Sequence, residues 1–396
     1  MDNSPCIFQC GNRLTEDTAT DEHVVLNAIG GRKTVTGFIC NTCNSKTGSI
    51  WDAELAGQLN PLSLLLGIKR HRGTVPSQKF PTSNGGAVEM CSDGKRTIAK
   101  PSHTVTAVGN TIHLKISARS RDELRKLLKG WQRKYPSLRN KNLDELMSGA
   151  QARALYSSDW TQFDLEFLNE KAKRSLVKSA VALVYDAGID PRVCALALDY
   201  LTKDNVKPCC GYYYDKDRDL VVDRPKAKPF HCVYVKGNPG TGTILGYVEF
   251  YGLHRMVLCL SESYAGKAFT NLYAIDPVKG KELLLDIDLN LPIFDVRSIL
   301  DDQKCDEKVL KTAIDRLFGY IMEADFKREF RRAKENAWKR AFESFNAGKD
   351  ECLTDEDIRQ LVARFIEELT PFLRHNIERF RHPPRDFSAS SKSHVQ

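Results

Sequence analysis

Cys6-x3-Cys10, Asp21-Glu22-His23-Val24-Val25-Leu26, Gly30-Gly31-Arg32 and Cys40-x2-Cys43-Asn44-Ser45-Lys46 follow one another at the start of the chain. How this stretch is read decides the fold of the N-terminal region. Its two cysteine pairs, separated by 29 residues, can bring four thiolates around one Zn2+ in tetrahedral geometry. The second pair has the usual two-residue spacing, and the first is one residue longer. Residues 1–50 are rich in Cys, Gly, Asn and Thr and poor in large apolar side chains. Such a segment cannot build a normal core and needs a staple, which a metal supplies. The competing reading is four free thiols, but exposed thiols in a Gly/Asn-rich segment have little else to do.

Between the pairs, Glu22-His23 precedes the apolar run Val24-Val25-Leu26, which reads as a turn entering packed structure. A lone histidine is more often structural than catalytic. Here a carboxylate stands directly before it, and Asn44, at the expected opening of a helix, follows a zinc cysteine. A carboxylate, an imidazole and an amide converging beside one metal knuckle can hold a hard cation and activate water. That is the composition of a one-metal phosphodiesterase site.

Residues 4–60 resemble the HNH endonuclease family, in the branch that combines a four-cysteine zinc with a Glu-His core motif; the helix entry Cys43-Asn44-Ser45-Lys46-Thr47-Gly48 is included. The resemblance implies a ββα-metal fold and a set of roles. Cys6, Cys10, Cys40 and Cys43 would hold the structural zinc. His23 would be the general base, and Glu22 and Asn44 would hold a catalytic Mg2+ or Mn2+. Two departures stand out. The middle Asn of the motif is missing from Lys33-Thr34-Val35-Thr36-Gly37-Phe38-Ile39, so either Thr36 replaces it or the orienting hydrogen bond comes from elsewhere. Glu22 is also one methylene longer than the more common Asp.

The 396-residue chain has ordinary globular composition, 41% hydrophobic and 28% charged, which excludes wholesale disorder and suggests two or three domains. Its net charge of +8 is unevenly spread. Residues 1–68 hold 4 Lys+Arg against 7 Asp+Glu; residues 69–141 hold 17 against 4, net +13; the remainder is net −2. The basic stretch reads as a collar for a nucleic-acid backbone. It offers Lys69, Arg70 and Arg72 in one turn and Arg121, Arg125 and Lys129 on one helix, with Arg32 and Lys46 added from the nuclease segment. The bland reading of such charges is a solvated surface.

Farther along, His103–Ser117 alternates as a hairpin around Gly109-Asn110. Ser120-Arg121-Asp122-Glu123 is a capping box, and Thr161-Gln162-Phe163-Asp164 reads as a second, opening a helix that ends at Gly188. Phe230–Lys236, Thr243–Tyr251 and Arg255–Ser261 read as strands, Leu317–Phe345 as a basic amphipathic helix, and Thr354 as the cap of a last helix. Gly237-Asn238-Pro239-Gly240-Thr241-Gly242 lacks the Lys-Ser/Thr ending of a phosphate-binding loop and bridges two strands, so it reads as a hairpin loop. Cys209, Cys210, His231 and Cys232 lack common zinc spacing. No window is apolar enough for a membrane span and the N-terminus lacks a secretory pattern, so a cytoplasmic location without membrane association is expected.

The expected fold class is α+β: a zinc-stapled ββα-metal nuclease module at 1–68, the collar at 69–141, and a mixed α+β companion at 142–396, with a frayed tail from about 383. The expected partner is DNA, with RNA left open. The runner-up is a zinc-stapled nucleic-acid-binding or regulatory protein without catalysis; a sensing role for 142–396 is a third reading.

Overall fold

The computed structural model describes residues 4–108, 111–150, 159–162, 164–226, 228–343 and 353–381. The chain is mixed α and β and divides into two compact units. One joins Met1–Pro76 with Leu165–Phe326, and the other joins Ser77–Asp164 with Lys327–Gln396. Among the described residues, no helix is long and apolar enough to cross a membrane.

The first unit opens with the strand Ala19–His23, paired antiparallel to Thr34–Cys40 in the register Asp21↔Thr36, Glu22↔Val35 and His23↔Thr34. The connection turns at Gly30 (φ 100°) and buries Val24, Val25, Leu26 and Ile29. Helix Asn41–Thr47 starts directly from the second strand because the Cys40 sulfur caps it, accepting from the Cys43 N–H. The chain stays helical through a widened turn, Gly48–Asp52, into Ala53–Leu66, and stops at Gly67 in the left-handed conformation. This is the ββα arrangement, and its helix begins at Asn41, just ahead of the expected opening at Asn44.

The rest of this unit is a six-stranded antiparallel sheet in the order Lys281–Glu282, Phe269–Asp276, His231–Asn238, Thr243–Phe250, His254–Ser261, Cys210–Tyr212. Every residue of Thr243–Phe250 and His254–Ser261 is buried, because both faces of the sheet are covered. One face carries a core that includes Leu220, Val221, Phe230, Val296 and Ile299. The helix Glu170–Asp186 also packs against the sheet: the Asn271 amide donates to Leu183 O at 3.1 Å and to Asp186 at 2.8 Å. That helix also meets the ββα segment, with Lys33 paired to Asp186 at 2.6 Å. Wedged between the two, its residues 175–184 are buried without interruption.

Its start corrects one expectation. Thr161 does not cap a helix; it forms an isolated bridge with Thr82. Asn169 is the cap, accepting from the Ala172 N–H, and Gly188 follows the helix end as expected. Around Thr161 the backbone is extended, with Gln162 N–H donating to Pro81 O at 2.8 Å and Ser83 N–H donating to Trp160 O at 2.9 Å.

The second unit contains the sheet Gln78–Pro81, Ala87–Met90, Arg96–Ile98 and the hairpin Ser102–Val108/Thr111–Ser117. Gly109 and Asn110, the expected turn of that hairpin, lie outside the described residues. Ser120 caps Arg121–Lys134 as its box implies. The C-terminal part of Glu307–Glu343 packs on Asp355–Arg381 through Ala333, Ala337, Leu369 and Phe372. Thr354 exchanges hydrogen bonds with Asp357 at the start of that last helix. The tail from 382 lies outside the described residues.

Candidate active site

The four N-terminal cysteines converge. All four sulfurs lie within 4.8 Å of one another, and Cys10 and Cys40 are 3.6 Å apart. A tetrahedron of thiolates at 2.3 Å from Zn2+ has sulfur–sulfur edges of about 3.8 Å, so the cluster fits zinc. Its hydrogen bonds suit thiolates: Asn12 Nδ2 donates to the Cys40 sulfur at 3.3 Å, and the Cys40 N–H donates to the Cys6 sulfur at 3.4 Å. Burial raises the Cys40 thiol, but the donors from Asn12 and Cys43 outweigh it and bring the group down to about 7. Burial pushes Cys6 up to about 11. Among the described residues, no second group of three or more His, Cys, Asp or Glu side chains converges in this way. His231 has both ring nitrogens engaged, one by the Tyr251 N–H at 3.0 Å and the other with Ile29 O at 2.9 Å.

Strand alternation turns Glu22 into the interior, where it is 4% exposed, and leaves Asp21 exposed and His23 half-buried on either side of it. Asn44, in the helix that carries Cys43, donates to Asp21 O at 3.2 Å and lies near enough to the Glu22 carboxylate to favour its ionised form. The expected pair Glu22 and Asn44 is therefore in contact. The Glu22 carboxylate also faces a residue that sequence reasoning missed. Lys178, fully buried on Glu170–Asp186, brings its Nζ to 2.9 Å from Glu22 Oε1, 2.6 Å from Asp52 Oδ2 and 3.3 Å from Thr47 Oγ1. Ser175 holds the other Asp52 oxygen at 2.6 Å. The approach to Glu22 Oε1 is a charge contact off the hydrogen-bond direction, so this buried oxygen has no hydrogen-bond donor. Burial pushes the Glu22 carboxyl up to about 7; Lys178 opposes the rise and Asp52 adds to it.

His23 follows at the strand end. Burial holds its imidazole below the ordinary histidine range, and the proximity of His71 and Arg72 adds to this, with Asp21 and Asp52 opposing. These surroundings favour the neutral ring, the form that can accept a proton. The basic turn after helix Ala53–Leu66 is tied to this place by Asn27, whose Oδ1 accepts from the His71 N–H at 2.7 Å and whose Nδ2 donates to Arg72 O at 3.1 Å. Arg32 donates to Lys69 O at 3.0 Å. Lys46, Lys69 and Arg72 are exposed, while Arg70 is half-buried and its Nε lacks a hydrogen-bond acceptor. Arg121, Arg125 and Lys129 are exposed in the second unit, and Arg125 is paired with Asp144. Thr36, the candidate replacement for the missing Asn, donates its hydroxyl to Asp21 Oδ1 across the strand pair.

The donor chemistry fits a hard divalent cation. It offers a carboxylate with an oxygen lacking a donor, an amide, and a second carboxylate nearby. Lys178 is the element foreign to such a set. Its only sequence signal is a lysine breaking the run Leu176-Val177-Lys178-Ser179-Ala180-Val181-Ala182.

Residues 6–60 match the family model described as HNH endonuclease, which spans the cysteine cluster, Glu22, His23, Asn44 and Asp52. Searches of curated proteins and of solved structures gave no match.

Proposed function

We propose that the chain is a metal-dependent HNH endonuclease that hydrolyses phosphodiester bonds in DNA. His23 is the general base, and Glu22 and Asn44 hold a Mg2+ or Mn2+ ion. The observation that carries this reading is the contact of Glu22 with Asn44 next to a neutral His23, beside a zinc-binding cluster and inside the segment matching the nuclease family. A ring nitrogen of His23 takes the proton of the attacking water, and the charges of Asp21 and Asp52 favour the imidazolium that forms. Glu22 and Asn44 would hold a divalent ion, which would supply charge neutralisation to the phosphodiester. Cys6, Cys10, Cys40 and Cys43 would hold zinc, bracing the strand–helix junction that carries Asn44.

Lys69 and Arg72 would contact phosphates flanking the scissile one, a role supported by their ties to the His23 turn through Arg32 and Asn27. Lys46 and Arg70 would add to these contacts, and Arg121, Arg125 and Lys129 would offer separate backbone contacts on the second unit. Their contacts give affinity without sequence preference. His23→Ala is expected to lower plasmid cleavage in Mn2+ by about 100- to 10,000-fold, with zinc content and DNA binding retained. Unchanged nicking by this variant would refute the assignment. A second reading, a zinc-stapled DNA-binding protein without catalysis, draws support from the ammonium on Glu22. It predicts that the wild type binds DNA and shows no Mg2+- or Mn2+-dependent cutting.

A further inference from the structure

We propose that Lys178 is a built-in counter-cation of the nuclease centre, competing with the divalent metal for Glu22 and so weakening metal binding from outside the nuclease segment. The proposal rests on the reading of Glu22 and Asn44 as metal ligands. Lys178 comes from Glu170–Asp186, far from residues 6–60 in sequence. Its side chain is fully buried, so no water screens it. With both carboxylates ionised, the ammonium leaves the cluster at net −1 where Glu22 and Asp52 alone would give −2. A divalent ion on Glu22 therefore meets half the attracting charge. It also meets a like charge within a few ångströms, in surroundings where Coulomb interactions are several times stronger than in water.

The geometry supplies a resting place for the displaced ammonium. Nζ is closer to Asp52 (2.6 Å) than to Glu22 (2.9 Å), and Thr47 Oγ1 gives a third partner at 3.3 Å. Ser175, one turn earlier on the same helix, clamps Asp52 at 2.6 Å so that it stays aligned with Lys178. When a metal takes Glu22, Lys178 retains Asp52 and Thr47. Metal affinity is thus set by how firmly Asp52 holds the lysine, and the helix that delivers Lys178 also packs on the large sheet. Lys178 is a positioning residue, since it acts on the metal ligand.

The test is Mn2+ binding to the zinc-loaded full chain without DNA, read as loss of the free-ion signal in electron paramagnetic resonance. Lys178→Met is expected to tighten Mn2+ binding at least about tenfold, the direction set by removing a like charge. Lys178→Arg, which keeps the charge and is held to the same folding control, is expected to bind Mn2+ no tighter than the wild type. Asp52→Asn, which leaves Glu22 as the lysine's remaining carboxylate, is expected to weaken binding several-fold. Retained zinc and helix content are the folding control. If Lys178→Met fails it, Lys178→Gln, whose amide still donates to Asp52, takes its place. Glu22→Gln separates the two levels of the argument. If it abolishes Mn2+ binding while the Lys178 variants bind no tighter than the wild type, Glu22 is a ligand and the competition is refuted. If no protein, Lys178→Met included, binds Mn2+ through Glu22, the ligand assignment falls and the competition with it.

Discussion

His231 ties the large sheet to the turn that follows His23, and acid should loosen that tie. The ring is fully buried, with one nitrogen accepting from the Tyr251 N–H and the other bonded to Ile29 O. Because its proton-free nitrogen already accepts a backbone donor, protonation would cost that bond and place a charge in an apolar site against Phe250 and Tyr251. Burial accordingly pushes its pKa down from 6.5 to about 3. A base with a depressed folded pKa contributes stability that is complete above pH 6.5. That contribution is lost as pH falls from 6.5 toward 3, because the unfolded chain binds the extra proton. The slope is about 1.4 kcal/mol per pH unit, or roughly 2.5–3 kcal/mol between pH 6.5 and 4.5.

His254 is buried too and is pushed down to about 4, so it adds a slope of the same sign. Glu22, raised to about 7, works the other way: its contribution is present below pH 4.5 and lost as pH rises through 7. The comparison must therefore be between variants. In urea unfolding at pH 7.0, 6.0, 5.0 and 4.5, His231→Gln should show a shallower acid loss than the wild type, by about 1.4 kcal/mol per pH unit below pH 6. A variant that loses stability with acid as steeply as the wild type would refute the burial argument.

Two further outcomes follow from the geometry around His23. A Cβ at Gly31 would lie 1.7 Å from Val25 O, a backbone atom that cannot move aside without breaking the Gly31 N–H bond to Leu26 O. Gly31→Ala should therefore destabilise the chain by about 3–5 kcal/mol, measured by denaturant titration, and a loss under about 1 kcal/mol would contradict the turn. Neutralising Lys69 and Arg72 together, both exposed at the turn held by Asn27, should weaken DNA binding and reduce its log–log salt slope by about 2. Salt titrations of DNA affinity that superimpose on the wild type would remove both residues from the phosphate contacts.

Much of the local structure was legible in the residues. Ser120 and Thr354 cap their helices because a hydroxyl three residues before a carboxylate satisfies helix-end donors whatever the surroundings. The strands around Gly237–Gly242 form because alternation and a turn signal suffice for a hairpin. The same cap pattern at Thr161 opens no helix, since its neighbours Trp160 and Gln162 are bonded to Ser83 and Pro81, distant in sequence. Local rules hold where no long-range partner competes for the same groups.

Residue types and short spacings, which survive in one dimension, picked out the four-cysteine set and the candidacy of Glu22, His23 and Asn44. The ββα order was an implication of the family that these residues resemble. Tertiary structure alone decided the rest. It assembled one unit from Met1–Pro76 and Leu165–Phe326, across the intervening Ser77–Asp164. It carried Lys178, on a helix buried between sheet and nuclease segment, to the carboxylates of Glu22 and Asp52. A buried ammonium is tolerable only where carboxylates meet it, and which carboxylates do so is fixed by packing rather than by the neighbours of Lys178 in the chain.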